Sequence, residues 1–595
     1  MSGPSSKLLI LCPLPVLRQG GWYIISVKAY RQTGSARTGL PMKKKISNTP
    51  FAIDVLLLGY EAQNNLGVRS IAAVCQERGW RAMVLSLSDH DRQEVLDAIR
   101  RFHPRVVGFS IIFQFSLEDY ASLMRFLREN GVSQHFTAGG HFPTLRPVEI
   151  LQAVPQLDSI VRHEGELTLP ELLQQLDHPE TWQDIQGLAF RRDGQVVCTP
   201  PRPLIDSLDS LPAIDYGLPY LMGNALKSLP VLASRGCLFN CSFCSIRQFY
   251  GGAPGPLRRS RSPESFVAEM RRLHEQQEVR VFIFQDDDFA ARTPAQRGWL
   301  EAFLKAMDRA GLTGQVAWKI SCRVDDLNEQ VLADCQARGL AVVYLGVESG
   351  NQTGLRTMNK HVSVEQNLAA ISLLKKIGIT TGIGFMLFDP SSTFESIQEN
   401  INFLRAACGD GAFPVNFCKM LPYAGTPIEE TLRQEGRLTG SLAHPDYNFL
   451  DARLDLYSFM VHRIFSRRNF AALGLANRLT LAHANRAMNH AIGAGPSLEA
   501  DERRLWEITA SSNKSALDTL EALLPVAQAE KPDGQVFLDL STHAWESESA
   551  SIIALDDLLL ESDPGLLELF GSNIREREEQ LQEAAAQMRR DTQHH

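Results

Sequence analysis

The chain has 595 residues, of which 44% are hydrophobic and 22% are charged, and this composition excludes a disordered scaffold. A formal net charge of −8 argues against a dedicated nucleic-acid-binding protein, and ten cysteines are too few for a disulfide framework. No apolar run reaches the roughly 18 residues that a membrane-spanning helix needs. We therefore expect a cytoplasmic protein of several domains that neither crosses a membrane nor binds nucleic acid.

Residues 1–50 form a basic leader. They hold eight Lys and Arg residues and no acidic residue, and the first acid in the chain is Asp54. This composition is typical of a transit peptide. The alternative is that Met42 is the true start and that the residues before it are disordered or read through from upstream. We expect residues 1–50 to be disordered and assign them no function.

Strands and helices alternate over residues 51–200. Ala52–Gly59 is a continuous apolar run, as expected of a strand buried on both faces. Four more strands are predicted, at Ala82–Leu85, Val106–Ile112, His135–Ala138 and Ser159–Arg162, and helical periodicity is found at Leu66–Arg78, Arg92–Phe102 and Leu117–Glu129. The pattern predicts a doubly wound, flavodoxin-like α/β domain, which binds ligands at the carboxyl ends of its strands.

The loops at these strand ends suit a flat, polar ligand. Gly139 and Gly140 let the backbone approach a ligand closely, and Ser110 ends its strand with a small hydroxyl. The helix that opens after Asn65 offers free N–H groups to polar or anionic atoms. Glycines of this kind occur in any flavodoxin-like fold, so they do not by themselves define the ligand.

Three of these loops together resemble the cobalamin-binding domain of B12-dependent radical SAM enzymes. The resemblance covers about residues 52–200 and rests on Asn65-Leu66-Gly67-Val68-Arg69, Gly139-Gly140-His141 and His163-Glu164-Gly165-Glu166. It implies that cobalamin is bound by Asn65, Gly67, Arg69, Ser110, Gly139, Gly140, His141, Glu164, Gly165 and Glu166.

The motif Asp-x-His-x-x-Gly, which supplies a histidine to cobalt in other B12 domains, is absent. The segment Tyr60–Gly67 contains no histidine. By the resemblance, cobalamin binds with its own base displaced and without a protein imidazole on cobalt. Arg69 either fills the space below cobalt or is a solvent-exposed helix residue.

A Pro-rich stretch, Val197–Ser210, is typical of a crossing between domains, and we place the linker at residues 201–224. Beyond it, residues 234–245 read SRGCLFNCSFCS and place Cys237, Cys241 and Cys244 in the spacing C-x3-C-x2-C. Three thiolates in one loop can hold three irons of a 4Fe-4S cluster and leave the fourth iron open. An open iron can chelate the amine and carboxylate of S-adenosylmethionine (SAM).

Two alternatives to the cluster are a structural zinc site with a distant fourth cysteine and three buried thiols. The motif resembles the signature of the radical SAM superfamily, and this resemblance extends over residues 225–430. It implies that Phe243 lies beside the adenine of SAM.

A partial (β/α)6 barrel is predicted over residues 225–440. Its strands are expected at Val279–Phe284, Val316–Cys322, Val342–Val347, Ile379–Leu387 and Val415–Leu421, and its helices at Pro263–Glu278, Pro294–Ala310, Asn328–Arg338, Val364–Ile377 and Thr393–Ala407. Active residues of such barrels lie at the carboxyl ends of the strands.

The residues at these strand ends are candidates for binding SAM. The candidates, partly by the resemblance, are Asp286 and Asp287 for the ammonium, Arg323 for the carboxylate, Glu348 and Ser349 for the ribose and Gly384 for the adenine. The alternative for the acids is that they merely solvate the end of a strand. Both cofactor sites are predicted at strand ends, so we expect substrate to lie between the domains.

The carboxyl-terminal third has two predicted parts. Residues 441–530 are expected to be helical, either capping the barrel or forming an ordinary packing domain. Residues 531–595 mix acids with aliphatic residues and are expected to form a charged tail that is solvated or binds a partner.

The resemblance implies a cobalamin-dependent radical SAM enzyme of the methyltransferase type (class B). Such an enzyme uses a 4Fe-4S cluster, SAM and cobalamin, and takes electrons from a donor such as flavodoxin or ferredoxin. It transfers a methyl group from SAM, via methylcobalamin, to an unactivated carbon or phosphorus of a small molecule or natural product. The alternatives are a non-methylating enzyme of this group, which closes or rearranges a ring, and a non-catalytic cobalamin or redox sensor. No motif identifies the acceptor or a catalytic residue beyond the cofactors.

Overall fold

The computed structural model describes residues 52–60, 65–223, 226–289, 291–471, 473–494 and 499–570. The predicted leader, residues 1–50, lies outside the described residues. Within the described ranges, no helix is both long and apolar enough to cross a membrane.

The amino-terminal domain is built on a seven-stranded sheet. Its strands are β1 (Val55–Gly59), β2 (Ala82–Ser86), β3 (Val106–Ser110), β4 (His135–Gly139), β5 (Ser159–Val161), β6 (Leu188–Arg192) and β7 (Gln195–Cys198). Its helices are α1 (Leu66–Glu77), α2 (Arg92–Phe102), α3 (Leu117–Glu129), α4 (His141–Leu145), α5 (Pro147–Ala153) and α6 (Gly165–Gln174). The order β2-β1-β3-β4-β5, all parallel, is the flavodoxin-like order, and β6 and β7 extend it as an antiparallel hairpin.

Strand β1 shows why the sheet is doubly wound. Leu56 and Leu58 pack into one apolar layer, whereas Val55 and Leu57 pack into the other, and all four side chains are buried. A strand covered on both faces needs apolar residues at every position, which is the continuous run seen in the sequence.

The predicted linker begins later than the Pro-rich stretch suggested. Val197 pairs with Phe190 in the antiparallel hairpin, so the sheet continues to Cys198. The crossing chain is then fixed to both domains, because Leu204 N–H donates to the Pro254 carbonyl at 2.8 Å and Ile205 N–H donates to Glu164 Oε2 at 2.7 Å.

The second sheet is a partial barrel of six parallel strands with one antiparallel edge strand. Its strands are β8 (Tyr220–Leu221), β9 (Lys227–Val231), β12 (Val279–Phe284), β13 (Ala317–Arg323), β14 (Leu340–Glu348), β15 (Thr380–Phe388) and β16 (Cys418–Lys419). A separate two-stranded ribbon is formed by β10 (Ser234–Arg235) and β11 (Arg259–Ser260). The sheet order is β16-β15-β14-β13-β12-β9-β8. The helices are α7 (Ile246–Gly251), α8 (Pro263–Gln277), α9 (Pro294–Ala310), α10 (Glu329–Gln336), α11 (Gln352–Thr357), α12 (Val364–Ile377), α13 (Phe394–Cys408) and α14 (Pro427–Gln434). The expected (β/α)6 barrel is confirmed.

The barrel helices begin and end at strong local signals. Helices α9 and α12 open with capping boxes, at Thr293 with Gln296 and at Ser363 with Gln366. Helix α9 ends at Gly311 with a φ of +70°, a conformation that glycine adopts without strain. These caps fix the helix ends where the sequence pattern predicts them.

The carboxyl-terminal region closes the open side of the barrel. It contains a short hairpin, β17 (Leu438–Gly440) with β18 (Pro445–Tyr447), and the helices α15 (Ala452–Phe470), α16 (Leu475–Ala491), α17 (Glu499–Gln528), α18 (Gly534–Ser562) and α19 (Pro564–Leu569). Ala484 and Met488 of α16 pack against Val281, Ala317 and Ala341 on the inner face of the sheet. One face of the sheet is thus covered by the barrel helices and the other by α16.

In place of the charged tail expected from residue 531, residues 534–570 form two packed helices. Leu555, Leu558 and Leu559 of α18 are buried beside Leu479 of α16, and Phe570 is fully buried in the same cluster. The acidic residues between them mask this apolar spacing in the sequence. Residues 571–595 of the predicted tail lie outside the described part of the chain.

Candidate active site

One cavity, of about 680 Å³, lies at the carboxyl ends of the parallel strands of both sheets. From the amino-terminal domain it is lined by Asn65, Gly67, Ser110, Gly139, Gly140, His141, Glu164, Gly165 and Glu166. From the barrel it is lined by Phe243, Cys244, Asp287, Glu348 and Gly384. The structure therefore brings most of the candidate residues of the two domains to a single space.

The three cysteines of the motif lie in the loop between β10 and α7. All three are free thiols, and burial raises the pKa of Cys237 and of Cys244 to about 12. Arg323 Nη1 lies 3.4 Å from the sulfur of Cys241. Among the described residues, no three His, Cys, Asp or Glu side chains are close enough to hold one metal ion. Three half-buried thiols in one loop fit a cluster in which each sulfur binds a different iron.

The cysteine loop is held in place from two sides. Gly236 has a φ of +85°, and a Cβ at this position would lie 1.8 Å from the carbonyl oxygen of Leu257, so only glycine fits. The N–H of Gly236 donates to Asp287 Oδ2 at 2.7 Å, and Ser242 Oγ donates to the Thr357 carbonyl at 2.7 Å. Hydrogen bonds thus hold the loop to the end of β12 and to α11.

The two acids proposed for the ammonium of SAM differ in orientation. Asp286 accepts hydrogen bonds from Ser234 Oγ at 2.5 Å and from Ala233 N–H at 3.2 Å, and it does not line the cavity. Asp287 lines the cavity, and burial raises its pKa to about 6. Of the two, Asp287 is therefore the acid that can contact a ligand, whereas Asp286 braces the chain between β9 and the cysteines.

Glu348 and Gly384 lie next to each other on the barrel wall. Glu348 Oε1 is paired with Lys360 Nζ at 3.4 Å, and burial raises the pKa of its carboxyl. A Cβ on Gly384 would lie 2.9 Å from Tyr344 Oη and 3.3 Å from Glu348 Oε2, so glycine keeps the wall open here.

Ser349 and Arg323 lie outside the cavity lining. The hydroxyl of Ser349 is fully buried and donates to Asn400 Oδ1 at 3.1 Å. Arg323 donates to Asp325 at 2.9 Å and to the carbonyl of Lys360. The Arg323 side chain therefore supports the cysteine loop, and the Ser349 side chain supports the carboxyl end of β14. The sequence did not indicate these supporting roles.

The glycine pair at the end of β4 is required by close backbone packing. Gly140 has a φ of +111°, and a Cβ there would lie 2.7 Å from the carbonyl oxygen of Ile111. A Cβ on Gly139 would lie 3.3 Å from the carbonyl oxygen of Val161. Both glycines line the cavity and form its floor, where a ligand can approach the backbone closely.

Asn65 and Ser110 join the ends of β1 and β3, the switch point of the sheet. Asn65 Nδ2 donates to Ser110 Oγ at 2.9 Å, and Asn65 Oδ1 accepts from the Val68 N–H at the start of α1. Ligands of doubly wound sheets bind at this point. The donor set is polar and uncharged, which fits the amide-rich periphery of cobalamin.

Arg69 does not reach the cavity lining. Its Nη1 donates to the carbonyl of Asp215 at 2.5 Å, and the guanidinium lies beside Gly217. Arg69 thus contacts the linker and remains partly exposed, in agreement with a helix residue at the surface rather than one below cobalt. The turn of α1 places Leu66, Val68 and Ser70 toward the cavity and rotates residue 69 away.

Glu164 and Glu166 line the cavity but are bound to arginines of the barrel. Arg235 Nη1 donates to Glu164 Oε1 at 2.9 Å and Arg235 Nη2 donates to Glu166 Oε1 at 2.7 Å. Arg259 Nη1 donates to Glu164 Oε2 at 2.9 Å. Sequence reasoning missed both arginines, because their contacts with Glu164 span 71 and 95 positions and leave no local signal.

Comparison with known proteins agrees with this geometry. The model of the B12 binding domain matches residues 59–173, and the model of the radical SAM superfamily matches residues 231–404. An uncharacterized methyltransferase of Pyrococcus horikoshii is 29% identical over 371 residues, which cover 61% of this chain and 77% of that protein. The anaerobic magnesium-protoporphyrin IX monomethyl ester cyclase of Rubrivivax gelatinosus is 29% identical over 375 residues, covering 61% of this chain and 64% of the cyclase.

The solved structure of OxsB, a cobalamin-dependent SAM radical enzyme with aqua-cobalamin bound, shares the fold. It superposes with a TM-score of 0.63 at 16% identity and covers 90% of this chain and 81% of OxsB. The chain contains a B12 binding domain and a radical SAM domain, and it shares the fold of OxsB. Its cofactors are a 4Fe-4S cluster, SAM and cobalamin.

Proposed function

We propose that this enzyme is a methyltransferase that moves a methyl group from SAM, by way of cobalamin, to an unactivated carbon or phosphorus of a small molecule. One observation carries the proposal: the floor formed by Gly139 and Gly140 and the barrel residues Phe243, Asp287 and Glu348 line the same cavity. A methyl group on cobalamin can reach a substrate activated by the cluster and SAM only when these cofactors face the same cavity.

Each part of the chain has a defined task in this proposal. Cys237, Cys241 and Cys244 hold the cluster, and Asp287, Glu348 and Gly384 hold SAM against it. When bound, the cluster and SAM supply a radical, and cobalamin supplies the methyl group. The chain itself positions these groups and excludes water.

The wall of the cavity that belongs to neither cofactor site is mainly apolar. It includes Ile214, Leu232, Phe385, Met386, Phe417 and Phe470, together with Asn416, Cys418 and Tyr423. An apolar wall keeps solvent away from a carbon radical, which would otherwise react with the nearest C–H bond. We place the acceptor against this wall.

In this proposal, electrons enter through the cysteine loop, from a donor such as flavodoxin or ferredoxin. Leu238, next to Cys237, has 52% of its surface exposed. An exposed apolar side chain beside a cluster ligand offers a short route for an electron from a docked protein.

Among the relatives, the methyltransferase of Pyrococcus horikoshii supports methylation, whereas the cyclase of Rubrivivax gelatinosus supports oxidative ring closure as the second candidate. The same cavity could hold either chemistry, because both need a substrate radical close to cobalamin.

The products derived from SAM distinguish the candidates. The full chain, loaded anaerobically with cluster and cobalamin and reduced, is given SAM alone as the probe. A methyltransferase forms about one S-adenosylhomocysteine per bound cobalamin, and none when cobalamin is omitted. Formation of 5'-deoxyadenosine without S-adenosylhomocysteine favours ring chemistry, and intact SAM after reduction favours a sensor.

A further inference from the structure

A buried ion network crosses the boundary between the two domains at the edge of the cavity. Arg235 of β10 is bonded to Glu164 and Glu166, and its Nη2 also lies 3.2 Å from Ser70 Oγ. Arg259 of β11 bonds the second oxygen of Glu164. Two arginines therefore meet two carboxylates, and their formal charges cancel.

The network is almost completely closed to solvent. The exposed fractions of the side chains are 12% for Arg235, 6% for Glu164, 4% for Glu166 and 3% for Arg259. Buried ion pairs add little net stability, because both charges lose their hydration. A planar, buried guanidinium instead fixes the relative positions of its partners, because its N–H groups point in fixed directions.

The network joins the start of α6, on the cobalamin side of the cavity, to the cysteine loop. The distance between these two places determines the distance between the cofactors. Glu164 and Glu166 lie at the start of α6, beside the floor where cobalamin is expected, and Ser70 lies on α1. Arg235 lies two residues before Cys237 along the chain. Between them, the N–H of Gly236 donates to Asp287, so hydrogen bonds hold both residues between α6 and the first cysteine.

We infer that Arg235 is a positioning residue that sets the distance between cobalt and the iron–sulfur cluster. Glu164 and Glu166, which the sequence suggested as cobalamin ligands, act by holding Arg235. The inference rests on both cofactors occupying the shared cavity, as in the proposed function, but does not depend on which reaction follows.

Cob(II)alamin and the reduced cluster are both paramagnetic, so the dipolar coupling between them reports their separation in the full-length protein. We expect the unaltered protein to give one narrow distribution of distances. Arg235→Lys keeps the charge but cannot reach both carboxylates, and Arg235→Met removes it. Both variants are expected to bind iron and cobalamin at ordinary levels and to widen the distribution at least twofold.

The matched control is Arg202→Met. Arg202 is paired with Glu171 near the linker, at 18% exposure, and it does not line the cavity. Its loss is expected to leave the distribution unchanged. Should Arg235→Met fail to fold, Arg235→Lys and Glu166→Gln decide the question.

An unchanged distribution in Arg235→Lys and Glu166→Gln, with both cofactors bound, would overturn the inference. A failure of the proposed function looks different, because the distribution would respond to Arg235 as expected while no S-adenosylhomocysteine formed. A purely structural role for Arg235 predicts lower thermal stability with no change in the distance.

Discussion

Nδ1 of His163 lies 2.8 Å from the carbonyl oxygen of Phe249, across the boundary between the cobalamin-binding domain and the barrel. The carbonyl can only accept, so Nδ1 carries the proton and donates. The ring of Phe249 also packs against His141, with 4.2 Å between ring centroids. Both histidines that line the cavity are therefore used to hold α7.

We predict that cobalamin binds without an imidazole on cobalt. Nδ1 of His163 is bonded to the Phe249 carbonyl, and the ring of His141 packs against the ring of Phe249, so α7 holds both imidazoles in place. Electron paramagnetic resonance of the cob(II)alamin form should show no nitrogen splitting from an axial base. The spectrum should be the same in His141→Ala and His163→Ala. A nitrogen triplet that disappears in either variant would contradict this.

Gly140→Leu should weaken cobalamin binding by at least about tenfold and leave the iron content unchanged. The new side chain would clash with the Ile111 carbonyl at the edge of the cavity, at a φ that disfavours any side chain. Equilibrium titration with hydroxocobalamin, followed by absorbance, measures the loss. Gly131→Ala is the control, because Gly131 also has a positive φ, +82°, but open space around it. Equal losses in both variants would mean that backbone strain alone is responsible.

Replacing any one of Cys237, Cys241 or Cys244 by Ala should abolish the cluster and the reductive cleavage of SAM. Iron analysis and absorbance after anaerobic reconstitution provide the measurement. Cys198→Ala is the control, since this exposed thiol lies on the far hairpin. About four irons per chain in a variant lacking all three cysteines would refute the assignment.

Arg478→Met should strongly destabilise the carboxyl-terminal helices. Arg478 Nη1 donates to Asp556 Oδ1 at 2.9 Å, and the two side chains are 1% and 8% exposed. Removing one partner leaves a buried charge uncompensated, at a cost of about 3–5 kcal/mol. Hydrogen exchange of α18 should accelerate accordingly. The exposed pair Arg504–Glu561 gives the control, and Arg504→Met should leave the exchange of α18 nearly unchanged, because an exposed ion pair adds little stability. Similar exchange in both variants would show that α18 does not depend on the buried pair.

Local signals explain which elements are predictable from the sequence. Arg92–Phe102, Pro294–Ala310 and Val364–Ile377 are predicted with the bounds that the structure shows, because capping residues and helical periodicity lie within the segment itself. Strand β9 is missed, since Lys227 and Pro230 break its apolar pattern, and only its neighbours β8 and β12 make it a strand.

The candidate site is likewise only partly predictable from the sequence. The residue types at the strand ends can be found in the sequence, but their orientation cannot. Asp286 and Asp287 are adjacent, and only the turn after β12 decides that the second one faces the cavity. Arg69 is turned toward the linker by the position of α1 in the fold, and the contact of Arg235 with Glu166 depends on how two domains meet.

The packing of α16 against the inner face of the barrel sheet has a consequence for biosynthesis. The sheet of the cobalamin-binding domain is complete by Cys198, so this domain can form while the rest of the chain is still on the ribosome. The barrel strands emerge next, but Val281 and Ala341 find their partners only when Ala484 and Met488 have been translated. We therefore expect the barrel to mature late, and the iron–sulfur assembly machinery to act on a nearly finished polypeptide.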